Sequence, residues 1–223
     1  MIFLLKGLQV DVPVRRVVNA GYAGCDQKVV KAHIDELASI GVSVPKRTPT
    51  FYPVPVMQLT QSGRVQVGHG QTSAEIEYVF IQSEGNQYIT VGSDHSDRAL
   101  ETYSVNAAKQ ICPDIVAPQV WEYNEVRDHF SDLILTCEVC EQGAWRVYQQ
   151  GPASAILTPE QLLKLGRPIT DGPQDGTVLY SGTIPTIGEI TYADRWRISL
   201  CDKKLHRSIE FEYEVEVLPE CIE

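Results

Sequence analysis

The sequence has no apolar run long enough to span a bilayer. Residues 1–5 are apolar, but Lys6 interrupts them, and neither a leader-type hydrophobic region nor a small-residue cleavage site follows. Positive charge is scarce: 19 Lys and Arg stand against 29 Asp and Glu, a net charge of −10. Such a surface repels polyanions, so neither nucleic acid nor an acidic membrane face is expected as a partner. A cysteine framework is missing as well. The six cysteines are scattered. The C-x-x-C at Cys137 and Cys140 lacks the second pair that a zinc ribbon needs, and it lies in a stretch that reads as a strand, not as the helix start of a redox motif. Free thiols of this kind fit a reducing cytoplasm. There is no G-x-G-x-x-G opening a helix, no Walker loop, no G-x-S-x-G elbow, no internal repeat and no low-complexity segment.

What is present, 43% hydrophobic and 22% charged residues over 223 positions, is the composition of one globular domain spanning residues 1–223. The most informative stretch is Ala74-Glu75-Ile76-Glu77-Tyr78-Val79-Phe80-Ile81, rich in β-branched and aromatic residues and therefore strand-like. Strand side chains alternate, so Glu75 and Glu77 share a face with Val79 and Ile81. Two carboxylates at the edge of a core repel each other and are costly to desolvate, and a divalent cation would offset both effects. A turn at residues 84–86 and a second strand over 88–91 predict a hairpin that returns Asp94 to the two glutamates. E-x-E recurs in the last strand, 206–218, but there Glu210, Glu212, Glu214 and Glu216 form a face that is polar throughout and so reads as solvated.

The remaining pattern predicts two short strands over 2–18 and a glycine-containing turn over 19–24. A helix follows, capped by Asp26 and running to about Ile40 with Gly41 closing it, so that His33 and Glu36 share one flank. A single helix is expected over 97–110, with Ala99, Leu100, Tyr103, Ala107 and Ile111 as its apolar stripe. A short helix is expected over 121–130, a second hairpin turning at Gln142-Gly143, and a helix capped by Thr158 with Pro159 in first position.

The ordered segments Gly21-Tyr22, His33-Ile34-Asp35-Glu36, Pro45, Phe51, Ala74-Glu75-Ile76-Glu77, Ser93-Asp94-His95-Ser96-Asp97-Arg98-Ala99-Leu100-Glu101, Lys109, Tyr148-Gln149-Gln150-Gly151, Ser154 and Ser181-Gly182-Thr183-Ile184-Pro185-Thr186-Ile187-Gly188 resemble the fumarylacetoacetate hydrolase superfamily over roughly residues 15–218. The most specific match is Asp94-x-Ser96-x-Arg98-x-Leu100 after an E-x-E strand. The resemblance implies an α+β, β-rich fold: a mixed β-roll or sandwich with a few short helices. It implies Glu75, Glu77 and Asp94 as ligands of Mg²⁺ or Mn²⁺, and His33 with Glu36 as a water-activating dyad. Lys109 matches a catalytic cation and Arg98 the group that meets a substrate carboxylate, with Thr183, Tyr22, Glu101 and Gln149 as further substrate contacts. It also implies a homodimer. The match is that of a divergent branch. Ten residues separate Tyr22 from His33, where the family's Tyr-x-x-His has two. Glu101 stands where the family has glutamine, and Ile184 loosens the Gly-Thr-Pro motif, so a different substrate is expected.

Three carboxylates suit a hard octahedral cation and leave positions open for water or a chelating oxo-acid. Glu36 would favour the charged form of His33 and make it a better base, and the planar fork of Arg98 suits a carboxylate. The expected activity is metal-dependent hydrolysis of a C–C bond in a small 1,3-dicarbonyl or 2-oxo acid of acylpyruvate type, through a metal-bound enolate. Decarboxylation, hydration and keto–enol isomerisation at the same site stay open, as does a non-catalytic protein that binds a small acid.

Overall fold

The computed structural model describes residues 1–39, 44–170 and 175–222, apart from the side chains of residues 33, 36–39, 168 and 170. In chain order the strands are β1 (Ile2–Leu5), β2 (Leu8–Asp11), β3 (Arg16–Gly21), β4 (Thr50–Val54), β5 (Leu59–Thr60), β6 (Arg64–Val67), β7 (Thr72–Ser73), β8 (Ile76–Ser83), β9 (Asn86–Asp94), β10 (Ser96–Asp97), β11 (Asp114–Val116), β12 (Gln119–Glu122), β13 (Ile134–Glu141), β14 (Ala144–Pro152), β15 (Thr177–Tyr180), β16 (Arg195–Asp202) and β17 (Arg207–Val217). The α-helices are short: α1 (Gln27–Ser39), α2 (Arg98–Glu101), α3 (Val105–Ile111), α4 (Tyr123–Val126), α5 (Pro159–Leu165) and α6 (Arg167–Thr170). No helix among the described residues is long and apolar enough to cross a membrane.

Two sheets carry the fold. The larger runs β2-β1-β12-β9-β8-β15-β3-β4, with β11 pairing β9 and β5, and the smaller runs β14-β13-β16-β17-β6. Both are mixed: β15 pairs β3 in parallel and β8 in antiparallel, and β17 pairs β6 in parallel. One core lies between the sheets, where Tyr78, Phe80 and Ile89 meet Leu135, Val139, Trp196, Ile198 and Tyr213. A second core, with Val17, Val79, Ile81, Tyr88, Val116, Val178 and Tyr180, fills the other face of the large sheet. A sheet apolar on both faces has no water-facing side, so it curls around the second core as the wall of a roll.

The β8–β9 hairpin forms as its alternation requires. Its turn places Glu84 and Gly85 at φ 50° and 80°, the primed-turn geometry that matches strand twist. The register puts Glu77 opposite Gly92 and Ile76 opposite Ser93. Several sequence expectations are corrected. β3 continues through residues 19–21, which were expected as turn, and residues 2–18 give three strands, not two. The expected helix over 97–110 breaks into α2 and α3, because Ser104 takes an extended conformation and its hydroxyl accepts from Ala107 N–H. In consequence Tyr103 and Ile111 of the anticipated stripe are exposed, Ala99, Leu100 and Ala107 are half-buried, and Ala108 and Lys109 are buried. Residues 119–122 form a strand before the short α4 and a 3₁₀ turn. The Asp26 cap and the Thr158–Gln161 capping box are both present. Gly41, the expected close of α1, lies outside the described residues.

Candidate metal and substrate site

Alternation along the inner face of the roll creates the site. Asn19 follows Val17, Asp94 follows Gly92, Asp114 precedes Val116, and Glu75 and Glu77 precede Val79 and Ile81, so polar residues collect at one end of a face that is otherwise apolar. Asp94 N–H donates to Glu75 O at 3.1 Å, which seats the two residues side by side, and Asp114 pairs with Asp94 across β11 and β9. Gly92 leaves the space this packing needs: a Cβ there would lie 2.6–2.7 Å from Ile115 O, Tyr180 Cε1 and Val79 Cγ2.

Glu75, Glu77 and Asp94 each bring a carboxylate oxygen within 4.8 Å of the others. Arg98 Nη1 donates to Glu75 Oε1 and to Glu101 Oε2, both at 2.9 Å, while Nε donates to Ser73 at 2.7 Å. Lys109, delivered by α3, donates to Glu75 Oε2 at 3.0 Å and to Asp94 Oδ2. Burial alone would raise Glu75, but Arg98 and Lys109 hold its pKa at about 2. Asp94 is pushed up to about 6 by burial, against the pull of Lys109. Glu77 is raised well above the usual carboxylate range by burial and by Asp94. Asp114 is likewise raised, by burial and the adjoining Asp94 carboxyl. Lys109 stays protonated: burial opposes its charge, but Asp94 and Glu75 more than compensate.

Glu77 Oε2 accepts from Gly182 N–H at 2.7 Å, but Glu77 Oε1 and Asp94 Oδ1 are buried without a hydrogen-bond partner among the described residues. Orphaned buried carboxyl oxygens are costly, and a small hard cation satisfies them, so the donor set fits Mg²⁺ or Mn²⁺.

The other expected residues are placed as follows. Thr183 Oγ1 donates to Ile76 O at 2.9 Å and accepts from Gln149 Nε2 at 2.9 Å, and Gln149 Oε1 accepts from Ile76 N–H at 3.0 Å. The two therefore brace the residue between the paired glutamates. Tyr22, at φ 56°, neighbours Tyr52, Glu101, Lys109 and Glu75, and burial raises its phenol to about 12. Tyr52 packs on Gly21, where a Cβ would meet its ring at 2.9 Å, and the ring lies 5.9 Å from Lys109 Nζ. His33 and Glu36 belong to α1, but their side chains lie outside those described.

Sequence reading missed Asn19 and Asp114, joined by a 2.9 Å hydrogen bond, and a buried chain behind Glu75. In that chain His95 Nε2 bonds Thr72, its Nδ1 bonds Tyr213 OH, Tyr213 donates to Ser93 Oγ at 3.1 Å, and Ser93 Oγ accepts from Glu75 N–H at 3.1 Å. Burial lowers the His95 pKa to about 3, so the ring takes part in this chain as a neutral imidazole. A lone Asp beside Ile115-Val116-Ala117 was the visible sign of Asp114.

The family described as "Protein of unknown function (DUF2848)" matches residues 20–213. No curated protein matches the chain. Among solved structures, a protein of Oleispira antarctica provisionally named a fumarylacetoacetate isomerase/hydrolase superposes with a TM-score of 0.69 at 17% identity, over 96% of this chain and 99% of that one. One of Burkholderia cenocepacia provisionally named a fumarylpyruvate hydrolase gives 0.68 at 19% identity, over 98% and 95%. A 2-keto-3-deoxyarabinonate dehydratase gives 0.65 at 15% identity, over 95% and 76%. The fold is thus that of fumarylacetoacetate hydrolase family proteins.

Proposed function

The chain belongs to the DUF2848 family, and taking that membership and the geometry of the site as premises, we propose that it is a divalent-metal-dependent enzyme that hydrolyses a C–C bond in a small 1,3-dicarbonyl or 2-oxo acid. One observation carries the reading: three buried carboxylates converge, two with orphaned oxygens, between two buried cations. Glu75, Glu77 and Asp94 would hold Mg²⁺ or Mn²⁺, which would supply Lewis-acid stabilisation of negative charge developing on a substrate oxygen. Lys109 helps hold Glu75 ionised, pulls against the burial that raises Asp94, and adds positive charge where oxyanion character develops. Arg98 fixes Glu75 from the opposite side. Gly182 N–H orients Glu77. His33, with Glu36 beside it on α1, takes the proton from the attacking water. The resemblance supports a homodimer, which size-exclusion chromatography checks.

The test is a screen of small oxo-acids, acylpyruvates included, with Mn²⁺ and mass-spectrometric product detection. Glu75→Gln should abolish both Mn²⁺ uptake in calorimetry and turnover. His33→Ala should abolish hydrolysis; turnover that survives it would point to decarboxylation, which needs no activated water. Absence of Mn²⁺ and Mg²⁺ binding in the wild type would refute the proposal.

A further inference from the structure

Exposure rises outward from the carboxylates: Asp94 0%, Lys109 6%, Glu75 and Arg98 12%, Glu101 21%, with half-buried Tyr22 beside Glu101. Glu101 and Tyr22 are therefore the outermost of these groups, and a ligand that reaches outward from the metal oxygens passes them. Both cations near these groups already hold carboxylates, with only Nη2 of Arg98 outside those bonds. Lys109 serves Glu75 and Asp94, and Arg98 spends Nε on Ser73 and Nη1 on Glu75 and Glu101. With a divalent cation in place, the described side chains Glu75, Glu77, Asp94 and Glu101 balance Arg98, Lys109 and the metal. One ligand carboxylate is met by the metal. A second would enter a site already one negative charge in excess, next to Glu101, whose Oε2 is taken by Arg98 and whose Oε1 remains to accept a hydrogen bond.

We propose that Glu101 is a specificity-determining residue that selects oxo-acids whose distal end is neutral and donates a hydrogen bond, a hydroxyl or carboxamide, and rejects a second carboxylate. This rests on the metal-dependent reading above and names the substrate class within it. The discrimination is of the kind a half-buried anionic acceptor imposes, because a donating group satisfies it and a second charged group is repelled.

Calorimetric titration of the Mn²⁺-loaded protein tests it with three probes of one chain length: 2-oxopentanoate, 5-hydroxy-2-oxopentanoate and 2-oxoglutarate. The hydroxyl-ended acid should bind about tenfold or more tighter than the dicarboxylate, and Glu101→Gln should collapse that ratio by freeing Arg98 and removing the repulsion. Equal or tighter binding of 2-oxoglutarate by the wild type, a comparison that needs no variant, would overturn the proposal, as would an unchanged ratio in Glu101→Gln. Failure of all three probes to bind the Mn²⁺-loaded protein would instead refute the oxo-acid reading of the site, and this proposal with it, whereas failure to load Mn²⁺ would refute the metal-dependent reading.

Discussion

Ser93 and Tyr213 show how single residues decide the placement of a candidate ligand. Glu75 lies just ahead of β8, where the ladder does not yet hold it, and its backbone N–H is fixed by Ser93 Oγ. That hydroxyl is in turn fixed by Tyr213, which crosses from the smaller sheet, and by His95 behind it. Removing the phenolic oxygen leaves the ring in its packing with Trp196 and His95 but breaks the chain in the middle. Tyr213→Phe should therefore fold and weaken Mn²⁺ binding by about tenfold, the low end for residues that orient metal ligands, since it acts on Glu75 through one intervening group. Competition against a fluorescent Mn²⁺ chelator measures this. An unchanged dissociation constant would reduce the chain to packing.

At the scale of the element, α3 matters because it carries Lys109 inward. Its start depends on Ser104, whose hydroxyl accepts from Ala107 N–H at 3.2 Å. Ser104→Ala should cost about 1 kcal/mol, the usual worth of such a cap, and lower the urea midpoint without changing the slope. This break also marks where sequence reading stops. The residues from 97 to 110 have helical periodicity, and Ser104 is equally compatible with a helix interior or a cap; only the burial of Lys109 against Asp94 and Glu75 selects the second. The E-x-E strand, its hairpin and the return of Asp94 were legible because a two-residue period and a tight turn fix register within twenty residues. Asp114, Asn19 and Tyr213 were not, because sheet order brings them in from β11, β3 and β17, and no local pattern encodes that order. β16 was available in the alternation of Trp196, Ile198 and Leu200 with Arg195, Arg197 and Ser199, but Arg195 and Arg197 are half-buried cations over the Trp145 ring, a pairing invisible until β14 is placed.

For the whole molecule, a roll with carboxylates at one end of its interior ties stability to pH and to metal in opposite senses. Asp94 titrates at about 6 in the fold, above its ordinary value near 4, because burial disfavours the charged form. An acid whose folded pKa is raised stabilises the fold fully below its unfolded pKa, and loses that contribution as pH rises through the folded one. Between pH 4 and 7 the metal-free protein should thus lose about 2–3 kcal/mol from Asp94, and Glu77, also raised, acts in the same direction. Glu75 has the opposite sign: held at about 2, its contribution is complete above its unfolded pKa and declines as pH falls from there towards 2, so it opposes Asp94 only at the acid edge of this window. A divalent cation binds the deprotonated forms, so its uptake releases protons and its stabilisation grows with pH. Thermal melts from pH 4.5 to 7.5, with and without saturating Mn²⁺, should show the metal-free midpoint falling and the Mn²⁺ increment rising over the same interval. An increment independent of pH would mean that the groups losing protons are not those that hold the ion, and Asp94 would have to be withdrawn as a ligand.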